Sequence, residues 1–405
     1  MITLILFPIV FIATLSVLSW LYILLHPAKP WDFQPVGDDA PLPPLPEGVT
    51  FPRVAIIVPA RNEAESLPNT LPALLRQDYP GEYSVYVIDD RSSDGTAELA
   101  REIAKRESAE MRLTVIQGSP LPEGWMGKVW ALTQGTKVAA ETGAEFFLLT
   151  DADILHAPGS LRRLVSENIT MKLGMNSRMA RLRCESLAER LLIPAFVYFF
   201  TILYPMRHAN NPRDPLASAA GGCVLLSREA WVRLGESFEP IKSEIIDDVN
   251  LARQVKGRGL PIRLSLSRTE VVSLREYPQL ADIWKMVRRT AFTELKYSWL
   301  RVVGAMAGLA LMFVMPIVAI LAGTLGFVLG APPILAGWAI AKGCIALAIM
   351  GHVYAPAMRF FKLPVLFAFS LPIAGILYGL MTFDSALRHA RGLGVQWRDA
   401  GSKST

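Results

Sequence analysis

The sequence predicts an α/β domain built on a parallel sheet and tied to a membrane on either side. Short continuous apolar runs that stop at polar residues alternate with helical stretches, the pattern of strands buried on both faces. Charge-poor blocks flank this pattern. Met1 to Ala28 contains no Asp, Glu, Lys or Arg, Val302 to Met358 contains only Lys342, and Leu363 to Phe383 again contains none. About 20 apolar residues span a bilayer, so these blocks read as membrane segments and a purely soluble protein is excluded. The organisation that follows is an anchor over 1–28, a tether over 29–52, a folded domain over 53–301, membrane helices over 302–384 and a basic cytosolic tail over 385–405.

The anchor lacks a basic leading region and a small-residue cleavage site before His26, so it reads as uncleaved. Lys29 to Pro52 is rich in proline (Pro30, Pro35, Pro41, Pro43, Pro44, Pro46, Pro52), which favours an extended, semi-rigid chain. Val54 to Val58, Val85 to Ile88 and Phe146 to Leu149 are the strand runs, and Ser66 to Arg76, Thr96 to Ser108 and Val129 to Glu141 the helices between them. In such sheets ligands bind at the carboxyl ends of the strands, which is where the acidic residues lie. Beyond Asp153 comes a basic alternating segment, Met175 to Arg183. Leu187 to Tyr204 is apolar but interrupted by Glu189, Arg190 and Pro194, and reads either as an interfacial amphipathic helix or as a buried helix of the domain. Gly221 to Leu226 is strand-like, Glu244 to Lys256 helical, and Gln279 to Arg301 one long amphipathic helix that enters the membrane block.

Residues 302–405 hold Lys342, Arg359, Lys362, Arg388, Arg391, Arg398 and Lys403 against Asp384 and Asp399, which accounts for the whole net charge of +5. Nucleic acid needs a local basic excess. Here the excess sits beside membrane segments, so it reads as topology and nucleic acid is excluded as a partner. Basic residues near membrane ends favour the cytosol, which keeps Arg359, Lys362 and the tail on the folded domain's side. Three simple spans after residue 301 conflict with that. Either Leu363 to Phe383, with Pro364, Pro372, Gly375 and Gly379, takes the re-entrant or interfacial course that these residues favour, or the basic tail crosses despite the rule. Cys184, Cys223 and Cys344 show neither CxxC nor Cys/His spacing, so neither a disulfide framework nor a zinc site is encoded.

Residues that carry chemistry fall in four places. Pro59-Ala60-Arg61-Asn62-Glu63 follows the first strand run, and Asp89-Asp90-Arg91-Ser92-Ser93-Asp94-Gly95 the second. Carboxylates there can accept hydrogen bonds from a base N–H and ribose hydroxyls; the same residues also suit plain turns and helix caps, Asp94 before Thr96 above all. Asp151-Ala152-Asp153 sets two carboxylates directly after the third run, like charges that a divalent cation bridging to a diphosphate would neutralise. Glu244-Ile245-Ile246-Asp247-Asp248-Val249-Asn250-Leu251 opens a helix, where the dipole also favours acids. Asp248 is the candidate base for an attacking hydroxyl and Asp247 its competitor, with the Gly221-Gly222 loop placed beside the acceptor. Trp284 to Arg289 offers an Arg to a diphosphate leaving group, and Lys128, in Gly124-Trp125-Met126-Gly127-Lys128 at a helix start, a further cation.

Jointly and in this order, the four motifs resemble the family 2 glycosyltransferases with a GT-A fold, the Rossmann-like nucleotide-diphospho-sugar transferase domain. The resemblance implies a nucleotide-sugar donor, with Pro59, Ala60, Arg61, Glu63, Asp89 and Asp90 around uridine. It also implies Asp151 and Asp153 around ribose, diphosphate and a Mn²⁺ or Mg²⁺ ion, Lys128 and Arg289 toward the donor, Gly221, Gly222 and Asp247 toward the acceptor, and Asp248 as the base. The family's Q/RxxRW element reads Met286-Val287-Arg288-Arg289-Thr290 here. The missing Gln and Trp argue against a processive polysaccharide synthase. Anchor, tether, Gly-Trp-Met-Gly-Lys, Glu-Ile-Ile-Asp-Asp-Val-Asn-Leu, Arg-Arg-Thr-Ala-Phe-Thr-Glu-Leu and the C-terminal membrane block are similar to the hopene-associated glycosyltransferases of bacteria. That likeness implies a membrane lipid acceptor such as a hopanoid, reached from the bacterial inner membrane by a cytosolic catalytic domain.

The expected activity is thus a metal-dependent, inverting transfer of a hexose to a lipid hydroxyl. A transporter would need ionisable residues inside its spans, where only Lys342 and His352 lie. A non-catalytic scaffold would have no use for Asp151, Asp153 and Asp248 together. Phe196, Phe199 and Phe200 are expected to meet the lipid.

Overall fold

The structure, a computed structural model, describes residues 2–33 and 41–393. The expectations for Pro35, Arg398, Asp399 and Lys403 lie outside them. The elements run α1 (Ile2–Leu25), β1 (Val54–Ala60), α2 (Leu67–Leu75), β2 (Tyr83–Asp89), α3 (Thr96–Arg106), β3 (Leu113–Gln117), α4 (Gly127–Glu141), β4 (Phe146–Thr150), β5 (Ile154–His156), α5 (Ser160–Met171) and β6 (Met175–Met179). They continue with α6 (Leu187–Leu203), α7 (Met206–Ala209), β7 (Cys223–Ser227), α8 (Arg228–Arg233), α9 (Asp247–Gly257), β8 (Ile262–Leu266), β9 (Val271–Ser273), α10 (Leu280–Glu294), α11 (Trp299–Leu309), α12 (Met315–Val328), α13 (Pro333–Phe360) and α14 (Leu371–Ala390). The described residues divide into two compact units, one of 41–183 and 206–276, the other of 2–33, 184–205 and 277–393. Segments 184–205 and 277–301, which the sequence groups with the folded domain, pack with the apolar helices.

The first unit is a GT-A-like α/β fold. Its seven-stranded sheet has the order β3-β2-β1-β4-β7-β6-β8, and β5 pairs with β9 beside it. Alternation along β1 explains the layering. Val54, Ile56 and Val58 pack with Leu71, Ile103 and Leu164 of α2, α3 and α5, while Ala55 and Ile57 pack with Leu132, Trp231 and Val255 of α4, α8 and α9. A strand buried on both faces needs no polar positions, which is why β1 reads as a continuous apolar run. The sheet is mixed, a correction to the parallel expectation. β1, β2, β3 and β4 are mutually parallel, but β7 runs antiparallel to both β4 and β6.

The second unit carries four stretches long and apolar enough to cross a membrane: Thr3–Leu25, Trp299–Val328, Pro333–Phe360 and Val365–Ala390. Lys342, alone among charges in the 302–358 block, donates to the Thr14 hydroxyl and lies 5.7 Å from the Trp338 ring. The helix α6 belongs here, with Leu192, Ile193, Val197 and Tyr198 buried and the Tyr378 hydroxyl donating to the Leu192 carbonyl at 2.9 Å. Of the residues that interrupt it, Glu189 belongs to a capping box with Ser186 and, buried, also accepts the Tyr277 N–H, while Pro194 lies inside the helix.

One further expectation is corrected. Gln279 to Arg301 is not one helix, because Lys296 and Tyr297 take φ of 51° and 54° and Ser298 caps a new one, α11. In Leu363 to Phe383 a 3₁₀ stretch, Val365–Ser370, leads directly into α14. Pro372 stands in the first turn of α14, where its missing N–H costs nothing. Gly375 is a packing residue, since a Cβ there would stand 2.5 Å from the Phe313 ring.

Candidate active site

Strand direction assembles the site. Because β1, β2 and β4 are parallel, Ala60, Asp89 and Thr150 finish at one edge of the sheet. Because β7 is antiparallel to β4, with Cys223 opposite Thr150, the Gly221-Gly222 loop that precedes β7 arrives at the same edge. Thr150 fastens it there, its hydroxyl donating to the Gly222 carbonyl at 2.9 Å and lying 2.8 Å from His156 Nε2. Burial draws His156 down to about 4, so this support is uncharged.

Lys128, in the first turn of α4, is the hub. Its Nζ lies 2.7 Å from Asp151 Oδ1 and 3.7 Å from Asp247 Oδ2. Asp248 Oδ2 accepts the Gly221 N–H at 2.7 Å, and its Oδ1 accepts the Val249 N–H at 2.8 Å. A Cβ on Gly221 would stand 3.2 Å from Lys128 Nζ and 3.3 Å from Asp248 Oδ2, so only glycine lets loop, lysine and aspartate close together without displacement. Burial opposes the Lys128 charge, but Asp151, Asp247 and Asp248 outweigh it and hold the ammonium well above the usual lysine range. Burial and the neighbouring Asp247 charge push Asp248 up to about 7, against the pull of Lys128 and the two N–H groups. A carboxyl group so placed is ionised in a large share of molecules at neutral pH and is a stronger base than an ordinary aspartate.

A second knot lies beside the first. Arg275, just past β9, sets its Nε 3.0 Å from Asp153 Oδ2 and its Nη2 3.8 Å from Glu63 Oε1. Burial raises Asp153, Arg275 draws it down and Asp151 raises it, leaving it above the ordinary aspartate range. No motif in the sequence marks Arg275; only the β5–β9 pairing, Ile154 opposite Ser273, brings it to Asp153.

The β1 and β2 loops are tied to each other. Arg61 Nη1 lies 3.3 Å from Asp90 Oδ2, Arg91 Nε 3.5 Å from Asp90 Oδ1, and Asp89 Oδ1 accepts the Ser92 N–H at 3.2 Å. Pro59 and Ala60 are buried in β1. Asp94 is a turn residue, accepting the Ala64 and Thr96 N–H groups at 3.0 and 3.1 Å. Lys128, Asp151, Gly221, Asp247 and Asp248 thus form one cluster, and Glu63 and Asp153 are joined through Arg275. Arg289 is exposed on α10 in the other unit, beside Arg288, whose Nη1 lies 3.5 Å from Asp384.

Five carboxylates (Glu63, Asp151, Asp153, Asp247, Asp248) are thus gathered about two cations, Lys128 and Arg275. This negative excess and the oxygen donors of Asp151 and Asp153 fit a hard divalent cation. Among the described residues no three His, Cys, Asp or Glu gather as a ready ligand set.

Residues 52–293 match the family described as "Glycosyltransferase like family 2". Among curated proteins, the chain is 35% identical over 126 residues to an undecaprenyl-phosphate mannosyltransferase of Micrococcus luteus, covering 31% of this chain and 48% of that one. It is 35% identical over 117 residues to a beta-monoglucosyldiacylglycerol synthase of Trichormus variabilis, covering 29% and 23%. The chain spans less than half the length of these relatives. In fold it is similar to the mannosyltransferase PcManGT of Pyrobaculum calidifontis, solved in complex with GDP-Man and Mn²⁺, at 20% identity and a TM-score of 0.51, covering 92% of this chain and 99% of that one.

Proposed function

This chain belongs to glycosyltransferase family 2, and from that premise we propose that it transfers a sugar from a nucleotide-diphosphate donor, a UDP-sugar, to the hydroxyl of a membrane lipid, a hopanoid among the candidates. The observation that carries the reading is Lys128, whose single ammonium joins Asp151 at the end of β4 to Asp247 beside the half-buried Asp248.

The reaction is one displacement with inversion. The acceptor oxygen attacks the anomeric carbon, its proton passes to a carboxylate oxygen of Asp248, and the bond from that carbon to the diphosphate breaks, releasing the nucleoside diphosphate. The Gly221 and Val249 N–H groups orient Asp248, and Asp247 keeps it basic. Lys128 offers positive charge to the departing diphosphate, and Arg289 is assigned the same part. A divalent cation held by Asp151 and Asp153 would offset the charge that builds on the leaving group. No enzymic nucleophile is required.

The lipid acceptor is supported by the four apolar stretches and by relatives whose names speak of undecaprenyl phosphate and of diacylglycerol. A lipid that leaves its apolar body in the leaflet avoids about 0.8 kcal/mol per methylene of transfer to water. We assign the enzyme to the bacterial inner membrane with its sheet domain in the cytosol. Purified protein, incubated with a panel of UDP-sugars and membrane lipid extract, should yield a singly glycosylated lipid by mass spectrometry. A water-soluble polysaccharide, or no glycoside at all, would overturn the reading.

A further inference from the structure

One guanidinium in the site has no part in the displacement just described. Arg275 stands between two carboxylates from two different loops, 3.0 Å from Asp153 and 3.8 Å from Glu63. Its backbone is locked in place: Ile154 pairs with Ser273, and the Leu274 N–H donates to the Asp153 carbonyl at 2.9 Å. The side-chain pair therefore forms with little ordering cost beyond that of the arginine itself. The acids are the more buried partners, with side chains 11% exposed each, while that of Arg275 is 34% exposed. Asp153 and Glu63 are thus the enclosed partners of the pair, and the arginine is the one that solvent reaches.

We propose that Arg275 is the resident counter-ion of the donor site, a positioning residue that holds Asp153 against a bare divalent cation and yields it when the cation arrives with a nucleotide diphosphate. The proposal rests on the reading of Asp151 and Asp153 as the donor's carboxylates. Guanidinium and divalent cation compete for the same Asp153 oxygen, so the metal alone must first displace the arginine. A diphosphate changes the balance in two ways. It supplies oxygen ligands to the metal, and it gives the displaced guanidinium a new partner, since an arginine fork matches phosphate as well as carboxylate. Without Arg275, Glu63 and Asp153 would lose their shared cation while Lys128 remained engaged with Asp151.

The test is Mn²⁺ binding to the full chain in detergent, read by electron paramagnetic resonance with and without UDP. An opposite charge at this distance biases a carboxylate by about one to three powers of ten. Arg275→Gln should therefore bind Mn²⁺ alone about tenfold more tightly than the native protein, and UDP should enhance Mn²⁺ binding by correspondingly less, as reciprocal coupling requires. Arg275→Lys, which keeps the charge without the fork, should fall between the two. A purely structural arginine would show the opposite, because a loosened site binds metal more weakly. Equal or weaker Mn²⁺ binding by Arg275→Gln, or by Arg275→Lys should the first variant not fold, overturns the proposal while leaving the donor site standing. Native protein that binds no Mn²⁺ even with UDP overturns both.

Discussion

Asp384 and Asp248 are both half-buried aspartates, and the two units of the molecule treat them in opposite ways. Asp384, among the apolar helices, accepts the Trp284 indole N–H at 2.8 Å and lies 3.5 Å from Arg288. Glu189 in the same unit is fully buried and accepts the N–H groups of Glu185, Ser186 and Tyr277 at 2.8, 2.9 and 2.8 Å. Lys342 has its Thr14 hydroxyl. Asp248 has the like charge of Asp247 beside it and is pushed up to about 7. Polar groups among apolar helices must be answered locally, because burying them unpaired is costly. At the carboxyl edge of the sheet the imbalance is retained, with Asp247 and Asp248 side by side. Strained electrostatics of that kind marks functional sites.

The comparison breaks first at the base. Asp248→Asn removes proton acceptance at nearly constant volume, so turnover should fall by about 10² or more while UDP-sugar affinity persists. Near-normal turnover in Asp248→Asn together with its loss in Asp247→Asn would move the base one residue. Native kcat/KM should also fall about tenfold per pH unit below about 7, as Asp248 takes up its proton. The linkage to stability has a definite sign. A carboxyl raised from 3.8 to about 7 binds its proton more tightly in the folded state, so its contribution is full below 3.8 and is lost as pH rises through 7. Asp248→Asn should therefore be more stable than the native protein at pH 8, and that advantage should shrink on acidification, as thermal melts at the two pH values would show.

The next largest effect concerns the carboxylate pair. Asp151→Ala or Asp153→Ala should weaken divalent-dependent UDP binding by roughly ten- to a hundredfold, the worth of one or two charge-assisted contacts. EDTA should stop the reaction. Full activity in chelator with both carboxylates removed would leave the negative excess without a purpose.

In the helical unit the expected losses are of stability. Glu189→Ala leaves three N–H groups without their acceptor and should cost about 3 kcal/mol, seen as a lower melting temperature with UDP affinity unchanged. Phe199 packs against the Phe313 and Tyr378 rings, so the acceptor is better tested at its neighbours. Serine at Phe196 and Phe200 should raise KM for the lipid by roughly tenfold while leaving UDP-sugar binding intact; loss of donor binding would assign these rings to structure alone. The smallest change is expected at Lys342→Met, within about 1 kcal/mol in a melt, because a packed apolar side chain replaces an ion whose hydroxyl partner only offsets its burial.

What neighbouring residues decide among themselves is legible in the sequence alone. β1, β2 and β4 announce themselves as continuous apolar runs because both of their faces are covered, and the acids after them are legible because nothing in a fold asks for like charges there. The apolar stretches are equally plain, since length and hydropathy are properties of consecutive residues. Other features depend on partners distant in the chain. Periodicity is blind to direction, so the reversal of β7 that delivers Gly221 to Asp248 leaves no trace in its pattern. The short β5 and β9 carry three residues each, too few for a signal, yet their pairing is what sets Arg275 on Asp153. Pro372 and Gly375 look like breakers in one dimension, but one falls in a first helical turn and the other against the Phe313 ring. Their effect follows from the neighbours they meet, and those neighbours exist only once the chain has folded.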